Sequence, residues 1–200
     1  MTVRRMALAD VPAVVALQPL AFPPPFDPDY HWGAYHIERH LAVFPEGQFV
    51  ADVNGRVIAS CSNTRIPVKR WPPHGSWSHV AGGPGLERFD PEGSVLFGMD
   101  IAVHPDYRRQ GVGRALYGVR FDLLRKMGME AFGTTVRIPD FSQSGYESTE
   151  AYANDVATGK RVDRTMTPLL KMGLTYLGVV PDHMADPESG DTAAALEWRP

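Results

Sequence analysis

The sequence is poor in cysteine. Cys61 is its single cysteine, which excludes an intrachain disulfide framework and any metal site built from several cysteines. The surrounding residues, VIASCSN, indicate a β-strand. We therefore predict that Cys61 is a small buried side chain rather than a nucleophile.

Charge of one sign and long apolar runs are also scarce. Charged residues make up 22% of the chain and the formal net charge is -3, so bulk charge favours neither a nucleic acid nor a membrane surface as a partner. No apolar run approaches the ~18 residues of a membrane span. The N-terminus begins like a signal peptide, but Asp10 and Pro12 interrupt its apolar run. We expect a cytoplasmic protein.

Hydrophobic residues, by contrast, are plentiful, at 44% of 200 residues. This composition predicts one globular domain, residues 1–200, with a sizeable core. The pattern of predicted elements indicates a mixed α/β fold with a central sheet. Predicted strands cover residues 2–6, 94–103, 130–137, 174–180 and 193–198; predicted helices cover residues 7–22, 34–43, 111–127, 148–157 and 163–173. Asp10 and Asp163 are the predicted N-caps of the first and last helix.

Two elements have the clearest signatures. Asn54-Gly55, between apolar and β-branched segments, predicts a two-residue β-hairpin. Residues 111–127 repeat apolar side chains at every third or fourth position and end at Gly128, as an amphipathic helix does. Residues 69–93 are dense in glycine and proline and predict an irregular excursion.

Three histidines, His31, His36 and His40, lie four or five residues apart, which is a spacing that metal ligands can have. No cysteine accompanies them. We interpret them as histidines on a helix surface and expect no metal site.

The most unusual segment is HPDYRRQGVGRAL, residues 104–116, between a predicted strand and a predicted helix. A helix begins with unpaired backbone N–H groups, and its dipole adds partial positive charge, so its start suits a phosphate. Gly111 and Gly113 let a ligand approach the backbone. Arg108, Arg109 and Arg114 offer charge-assisted contacts to the same anion. The residues alone leave a phosphate site and an ordinary basic helix start equally open.

Two other phosphate-binding motifs are excluded. The dinucleotide fingerprint needs a third glycine three residues after the second, where this chain has Leu116. A P-loop needs G-K-[ST] after a longer glycine loop, and the sequence contains none.

The segment DIAVHPDYRRQGVGRAL resembles motif A of the GCN5-related N-acetyltransferase (GNAT) superfamily, in which [QR]-x-x-G-x-[GA] follows a strand ending in V-x-P. Arg108, Gly111 and Gly113 stand at the motif positions, after Val103 and Pro105. The order of elements agrees along nearly the whole chain. This resemblance implies a GNAT-like, mostly antiparallel central sheet flanked by helices and splayed at the strand before the turn, with acetyl-CoA as the cosubstrate.

A narrower resemblance is to the acetyltransferase module of a subgroup often fused to a carbon–nitrogen hydrolase domain. It rests on HLAVFPEGQFVADVNGRVIAS, RIPDF, STEAYANDVATGKRVD and the closing LEW. Because this chain stops at Pro200, we expect a stand-alone version.

The resemblance also implies how acetyl-CoA is held. Ile101, Ala102 and Val103 would pair with the pantetheine amides, and a backbone N–H near Ile101 would polarise the thioester carbonyl. Transfer would go directly from thioester to amine, without an acyl-enzyme. The diphosphate would lie on Arg108, Arg109, Gln110, Gly111, Val112, Gly113 and Arg114.

Proton transfer needs a base, because an ammonium acceptor must lose a proton before it attacks. Asp100, in the strand just before the thioester position, is our candidate. A purely structural carboxylate is the equal alternative for this residue. His104, Glu46 and Glu147 have less support.

The general acid departs from the family pattern. The superfamily commonly has Y-E-K-x-G-F in its last helix, with the tyrosine hydroxyl near the sulfur. Here the matching segment is LLKMGL, with Leu169 at the tyrosine position, and leucine cannot donate a proton. Tyr152 or Tyr146 is our candidate donor, and water protonating the departing thiolate is the alternative.

The predicted activity is acetyl-CoA-dependent N-acetylation of a primary amine on an unidentified small molecule, with a homodimer as one expectation. The alternatives are a non-catalytic CoA-binding sensor and a transferase of longer acyl groups. Three segments, residues 22–32, 71–77 and 138–162, either wall the acceptor pocket or are ordinary loop packing.

Overall fold

A computed structural model describes residues 1–72 and 75–200. The strands of this part, β1 to β7, are Thr2–Arg5, Phe49–Val53, Arg56–Ile66, Val95–Val103, Ala131–Arg137, Thr175–Val180 and Ala193–Trp198. Its α-helices, α1 to α6, are Val11–Ala21, Ala34–Val43, Trp77–Ala81, Val112–Lys126, Thr149–Ala157 and Met166–Leu170. The elements predicted from the sequence are confirmed, with shifts at their ends. The short α3 lies inside the segment predicted to be irregular, of which residues 73–74 fall outside the described residues.

All strands of the described chain belong to one sheet, in the order β1-β2-β3-β4-β5-β7-β6. Neighbouring strands are antiparallel except β4 and β5, which are parallel. The predicted mixed, mostly antiparallel sheet is therefore confirmed. Helix α4 packs on one face through Leu116 and Leu124, and α1 and α2 pack on the other through Val14 and Ile37.

The β2–β3 hairpin turns at the predicted dipeptide. Asn54 and Gly55 have φ values of 53° and 80°, the left-handed conformation that a tight hairpin turn requires. Cys61, in β3, is completely buried as predicted, and burial raises the pKa of its thiol. It contributes to the core beneath α4.

The two predicted aspartate caps have different outcomes. Asp163 Oδ1 accepts hydrogen bonds from the backbone N–H groups of Thr165 and Met166, so it does cap the start of α6. The prediction for Asp10 is met in position only: it stands at the N-cap of α1, but its side chain makes no capping bond to that helix. Its carboxylate is instead held by the Arg4 guanidinium at 2.7 and 2.8 Å.

Strands β4 and β5 separate halfway along their length, and this separation positions the site. They pair only from Val95 to Gly98 on β4 and from Ala131 to Thr134 on β5. Beyond that point β4 pairs with β3 alone among the strands described, so its backbone faces β5 without a partner. The splay predicted at the strand preceding the turn is therefore confirmed.

A β-bulge lies at the same point. The register between β3 and β4 shifts so that Ser62 faces Asp100 while Asn63 faces Gly98. Met99 is the extra residue, and such an insertion re-aims the side chains that follow it. After the bulge, Ala102 packs on α1 beside Leu17.

Candidate active site

The end of β4 runs through a short 3₁₀ turn, Pro105–Tyr107, into the start of α4. Gly111 is the N-cap residue, with a φ of 84° that favours glycine. The first bond within α4 runs from the Ala115 N–H to the Gly111 carbonyl, 3.0 Å away. The N–H groups of Val112, Gly113 and Arg114 therefore have no partner within the helix.

Gly113 is required neither by the backbone nor by packing. Its φ is not positive, and an added Cβ would have no heavy atom within 4 Å. Alanine is the better helix former, so the protein's own fold does not account for this glycine. Open space over unpaired N–H groups fits an anionic group, and the diphosphate of acetyl-CoA is one.

The side chains of the turn have two kinds of surroundings. Arg109 and Arg114 are exposed beside the start of α4. Arg108 is engaged within the protein: its Nη2 donates to the Ala21 carbonyl at 2.7 Å and its Nε donates to the Val103 carbonyl at 3.2 Å. Gln110 Nε2 donates to the Asp106 carbonyl at 2.7 Å. Arg108 and Gln110 thus fix the turn.

Asp100 lies in β4 directly after the bulge. It is half-buried, and its Oδ2 accepts a long hydrogen bond from Gln18 Nε2 of α1 at 3.4 Å. Burial raises the pKa of Asp100 to about 6, against the opposing effects of Gln18 and the Arg120 cation. Ile101, Ala102 and Val103 follow it on the part of β4 that β5 leaves unpaired.

Neither tyrosine proposed as the acid has an uncommitted hydroxyl. Tyr152 is completely buried and donates to Asp163 Oδ2 at 2.9 Å. Tyr146 donates to Asp155 Oδ2 at 2.7 Å. Burial and Asp163 raise the pKa of Tyr152, and the bond to Asp155 raises that of Tyr146. These contacts join the two tyrosines to α5 and the start of α6, away from Asp100.

Two of the three segments expected to wall the acceptor pocket line a cavity of about 350 Å³. Tyr30 comes from residues 22–32 and Trp77 from residues 71–77. Trp77 packs against the same buried cluster as Met99, which precedes Asp100. Described residues of segment 138–162 are not among its lining. His183 and Met184, which follow β6, line it instead.

His183 forms a polar pair with Thr135 that the sequence did not indicate. Its Nε2 lies 2.8 Å from Thr135 Oγ1, and its Nδ1 lies 3.2 Å from the Gly75 carbonyl. Because the carbonyl can only accept, Nδ1 carries the proton and Nε2 accepts from the hydroxyl. Burial lowers the pKa of His183. Thr135 is the first β5 residue beyond the segment paired with β4, so this neutral imidazole lies beside the splay.

The three spaced histidines have separate partners. His31 contacts the Phe22 carbonyl, and His36 accepts from the Gly33 N–H. The surface position expected for His40 is wrong: it is completely buried, its Nε2 donating to the Pro84 carbonyl at 2.6 Å, and burial lowers its pKa to about 4. Within residues 1–72 and 75–200, no group of three potential ligands could hold a metal.

Sequence reasoning missed Gln18, Arg120, Thr135 and His183. Their partners are distant in sequence: Gln18 and Asp100 are 82 positions apart, and Thr135 and His183 are 48 apart. Only the strand register brings such residues together.

Comparison with known proteins agrees with this geometry. The model of the acetyltransferase (GNAT) family matches residues 12–143. The uncharacterized N-acetyltransferase YkwB of Bacillus subtilis is 29% identical over 200 residues, covering 100% of this chain and 88% of YkwB. The probable hydrolase YhcX of the same organism is 30% identical over 200 residues, covering 99% of this chain but only 38% of YhcX. This chain thus resembles one part of that longer protein, as expected for a module also found beside a hydrolase.

Solved structures share the fold. The GphF GNAT-like decarboxylase in complex with isobutyryl-CoA has a TM-score of 0.82 at 19% identity, covering 100% of this chain and 99% of that one.

No helix of the described chain is long and apolar enough to cross a membrane. The family model covers more than half of the residues, and the chain therefore belongs to the acetyltransferase (GNAT) family, as an N-acetyltransferase that takes acetyl-CoA as its cosubstrate.

Proposed function

We propose that the protein transfers the acetyl group of acetyl-CoA directly to the primary amine of a small molecule. The observation that carries this proposal is the separation of β4 from β5 immediately before the glycine turn. The backbone groups on the open edge of β4, at Ile101 and Val103 on either side of Ala102, are then available to pair with the pantetheine amides, as a neighbouring strand would. The start of α4, at Val112–Arg114, follows β4 after the short 3₁₀ turn. It would hold the diphosphate.

Asp100 is the base in this proposal. With a pKa of about 6 it is mostly ionised at pH 7, and it can take the proton that the ammonium group must lose before the neutral amine attacks. Its place directly before Ile101 puts it beside the backbone N–H proposed to stabilise the thioester oxyanion.

The proton that leaves the amine must be matched by one that reaches the departing thiolate. Tyr152 and Tyr146 stay our proposed donors, but each would first have to break its bond to Asp163 or Asp155. Water is the alternative donor. Two observations support water. Both tyrosine hydroxyls already donate to a carboxylate, and Leu169 stands where the superfamily has its tyrosine.

A second candidate activity is the loss of CO₂ from a carboxyacyl-CoA. One comparison favours it: the GNAT-like decarboxylase in complex with isobutyryl-CoA matches the whole chain at a TM-score of 0.82. That likeness is one of fold, so the activity needs its own assay. Malonyl-CoA without any amine is the suitable substrate, with released CO₂ as the readout.

The experiment is thiol release from acetyl-CoA with a panel of primary amines, run beside Asp100→Asn. We expect turnover with at least one amine and its loss in the variant. Acetyl-CoA binding without turnover on any amine would overturn the proposal in favour of a CoA sensor. Faster release from butyryl-CoA or hexanoyl-CoA would overturn the choice of acetyl donor.

A further inference from the structure

The protein buries one guanidinium in its core. Arg120, on α4, is only 1% exposed, and its guanidinium lies over the rings of Tyr117 and Phe132, 4.9 and 5.5 Å from their centroids. Among the described residues no carboxylate forms a salt bridge with it, and its Nε has no hydrogen-bond partner. Burying a charge costs free energy unless it is paired or hydrogen-bonded. The buried position of Arg120 therefore needs an explanation.

The contacts of Arg120 are with the β-bulge. Its Nη2 donates to the backbone carbonyls of Ser62, at 3.3 Å, and of Asp100. These residues face each other across β3 and β4 at the last pair before the register shift. The guanidinium therefore joins both strands at the bulge, from the face opposite α1.

The neighbouring Gly98 is required by this arrangement. A Cβ there would come within 2.7 Å of the Phe132 ring and 3.4 Å of Arg120 Cζ. The Gly98 carbonyl in turn accepts from Thr134 Oγ1 at 3.0 Å. Both carbonyls that flank Met99 thus have side-chain donors, from α4 and from β5, and these donors fix the shape of the bulge.

Arg120 is also the described cation whose charge acts on the Asp100 carboxyl, lowering its pKa against the effect of burial. From α1 the carboxyl meets the neutral Gln18 amide. From β3 the charge of Asp100 acts on Cys61, whose pKa burial raises, so this thiol is neutral near pH 7. From α4, the Tyr117 hydroxyl beside Arg120 is neutral as well, because burial raises its pKa. The nearby His40, bonded to Ser62, is neutral as well because burial lowers its pKa to about 4.

We propose that Arg120 is a positioning residue: it holds the β4 bulge through two backbone carbonyls, and its buried charge stabilises the ionised form of Asp100. The inference rests on the proposed function in so far as Asp100 is the base. Its structural part, the support of the β4 bulge by a buried cation next to Asp100, does not depend on which acceptor is used.

The test titrates the Asp100 carboxyl by NMR in protein labelled with ¹³C at aspartate, assigning its signal with Asp100→Asn. Arg120→Gln removes the charge but keeps a hydrogen-bond donor. Arg120→Lys keeps the charge but loses the forked guanidinium that bonds both carbonyls. Arg125→Gln, on the exposed face of the same helix, is the control. We expect Arg120→Gln to raise the midpoint by about one pH unit and to move the acidic limb of the kcat/KM profile equally. Arg120→Lys should keep the midpoint but lower kcat.

An unchanged midpoint in folded Arg120→Gln would overturn the inference. If that variant does not fold, Arg120→Lys decides alone, because a wild-type kcat in that variant would show that the two carbonyl bonds are not needed. The NMR measurement needs no turnover. A raised midpoint in a protein that acetylates no amine would therefore remove the proposed function and leave the inference standing.

Discussion

At the residue scale, the ionised carboxyl of Asp100 opposes folding. Its pKa is about 6 in the folded protein against an ordinary 3.8, so the folded state binds its proton more tightly than the unfolded state. The stability that this provides is present below about pH 4 and is lost as the pH rises through about 6. Asp100→Asn should therefore raise the free energy of unfolding at pH 8 by up to about 3 kcal/mol and change it little at pH 4.

Activity is expected to change in the opposite sense. Without the base, kcat/KM at pH 7 should fall by roughly 10²–10⁴, while the acetyl-CoA dissociation constant stays within error. Urea unfolding at the two pH values and steady-state kinetics measure the two effects. Retained activity in Asp100→Asn would assign the carboxylate a structural role.

Tyr152→Phe separates catalysis from stability at another residue. The Tyr152 hydroxyl donates to Oδ2 of buried Asp163. The other oxygen of this carboxylate, Oδ1, accepts from the backbone N–H groups at the start of α6. Removing it should cost about 1–3 kcal/mol of stability and leave kcat within twofold if the bond is structural. Tyr146→Phe is the matched control nearer the surface and should cost less. A large loss of kcat in a variant that is still folded would support Tyr152 as the acid.

At the scale of elements, α4 contains a matched pair of glycines. Gly113 and Gly118 both have open space where a Cβ would be, but only Gly113 lies in the first turn. Gly118→Ala should stabilise the protein by about 0.8–1.0 kcal/mol and leave acetyl-CoA binding unchanged. Gly113→Ala should weaken binding by roughly tenfold or more, that is at least about 1.4 kcal/mol, without loss of stability. Calorimetry on both variants measures this, and equal affinities would remove the diphosphate from the start of α4.

How much the sequence predicts also differs by element. The hairpin at Asn54-Gly55 and helix α4 were predictable because their signals lie within a few residues. The bulge was not, because it depends on Gly98 fitting beside Phe132 and on Arg120 reaching Ser62, 58 positions away. Asp10 stands at the predicted N-cap position of α1, but its side chain makes no capping bond, because Arg4 and the Ala7 N–H bind its carboxylate. Local patterns thus predict where strands and turns begin, and long-range contacts decide what their side chains do.

At the scale of the whole molecule, the site joins parts that are far apart in sequence. The donor side, from Ile101 to Arg114, is continuous in sequence, and the motif therefore predicted it. The cavity that we propose for the acceptor is lined by Tyr30, Trp77 and His183, and no local pattern marks these three as neighbours. The resemblance to a family therefore indicates the donor and leaves the acceptor to the structure.

Because acetyl-CoA would bridge β4 and α4 only in the folded chain, it should stabilise the whole protein by mass action. At 100 times its dissociation constant the gain is about 2.7 kcal/mol. For a chain of this size that corresponds to a rise of about 5–10 °C in Tm. ATP and NAD at the same concentration should give a much smaller rise, since neither has a pantetheine arm for the unpaired edge of β4. Differential scanning fluorimetry measures all three, with Gly118→Ala and Gly113→Ala as positive and negative controls. Equal shifts for the three nucleotides would show that the splay contributes nothing to binding, and no shift at millimolar acetyl-CoA would contradict the proposed site altogether.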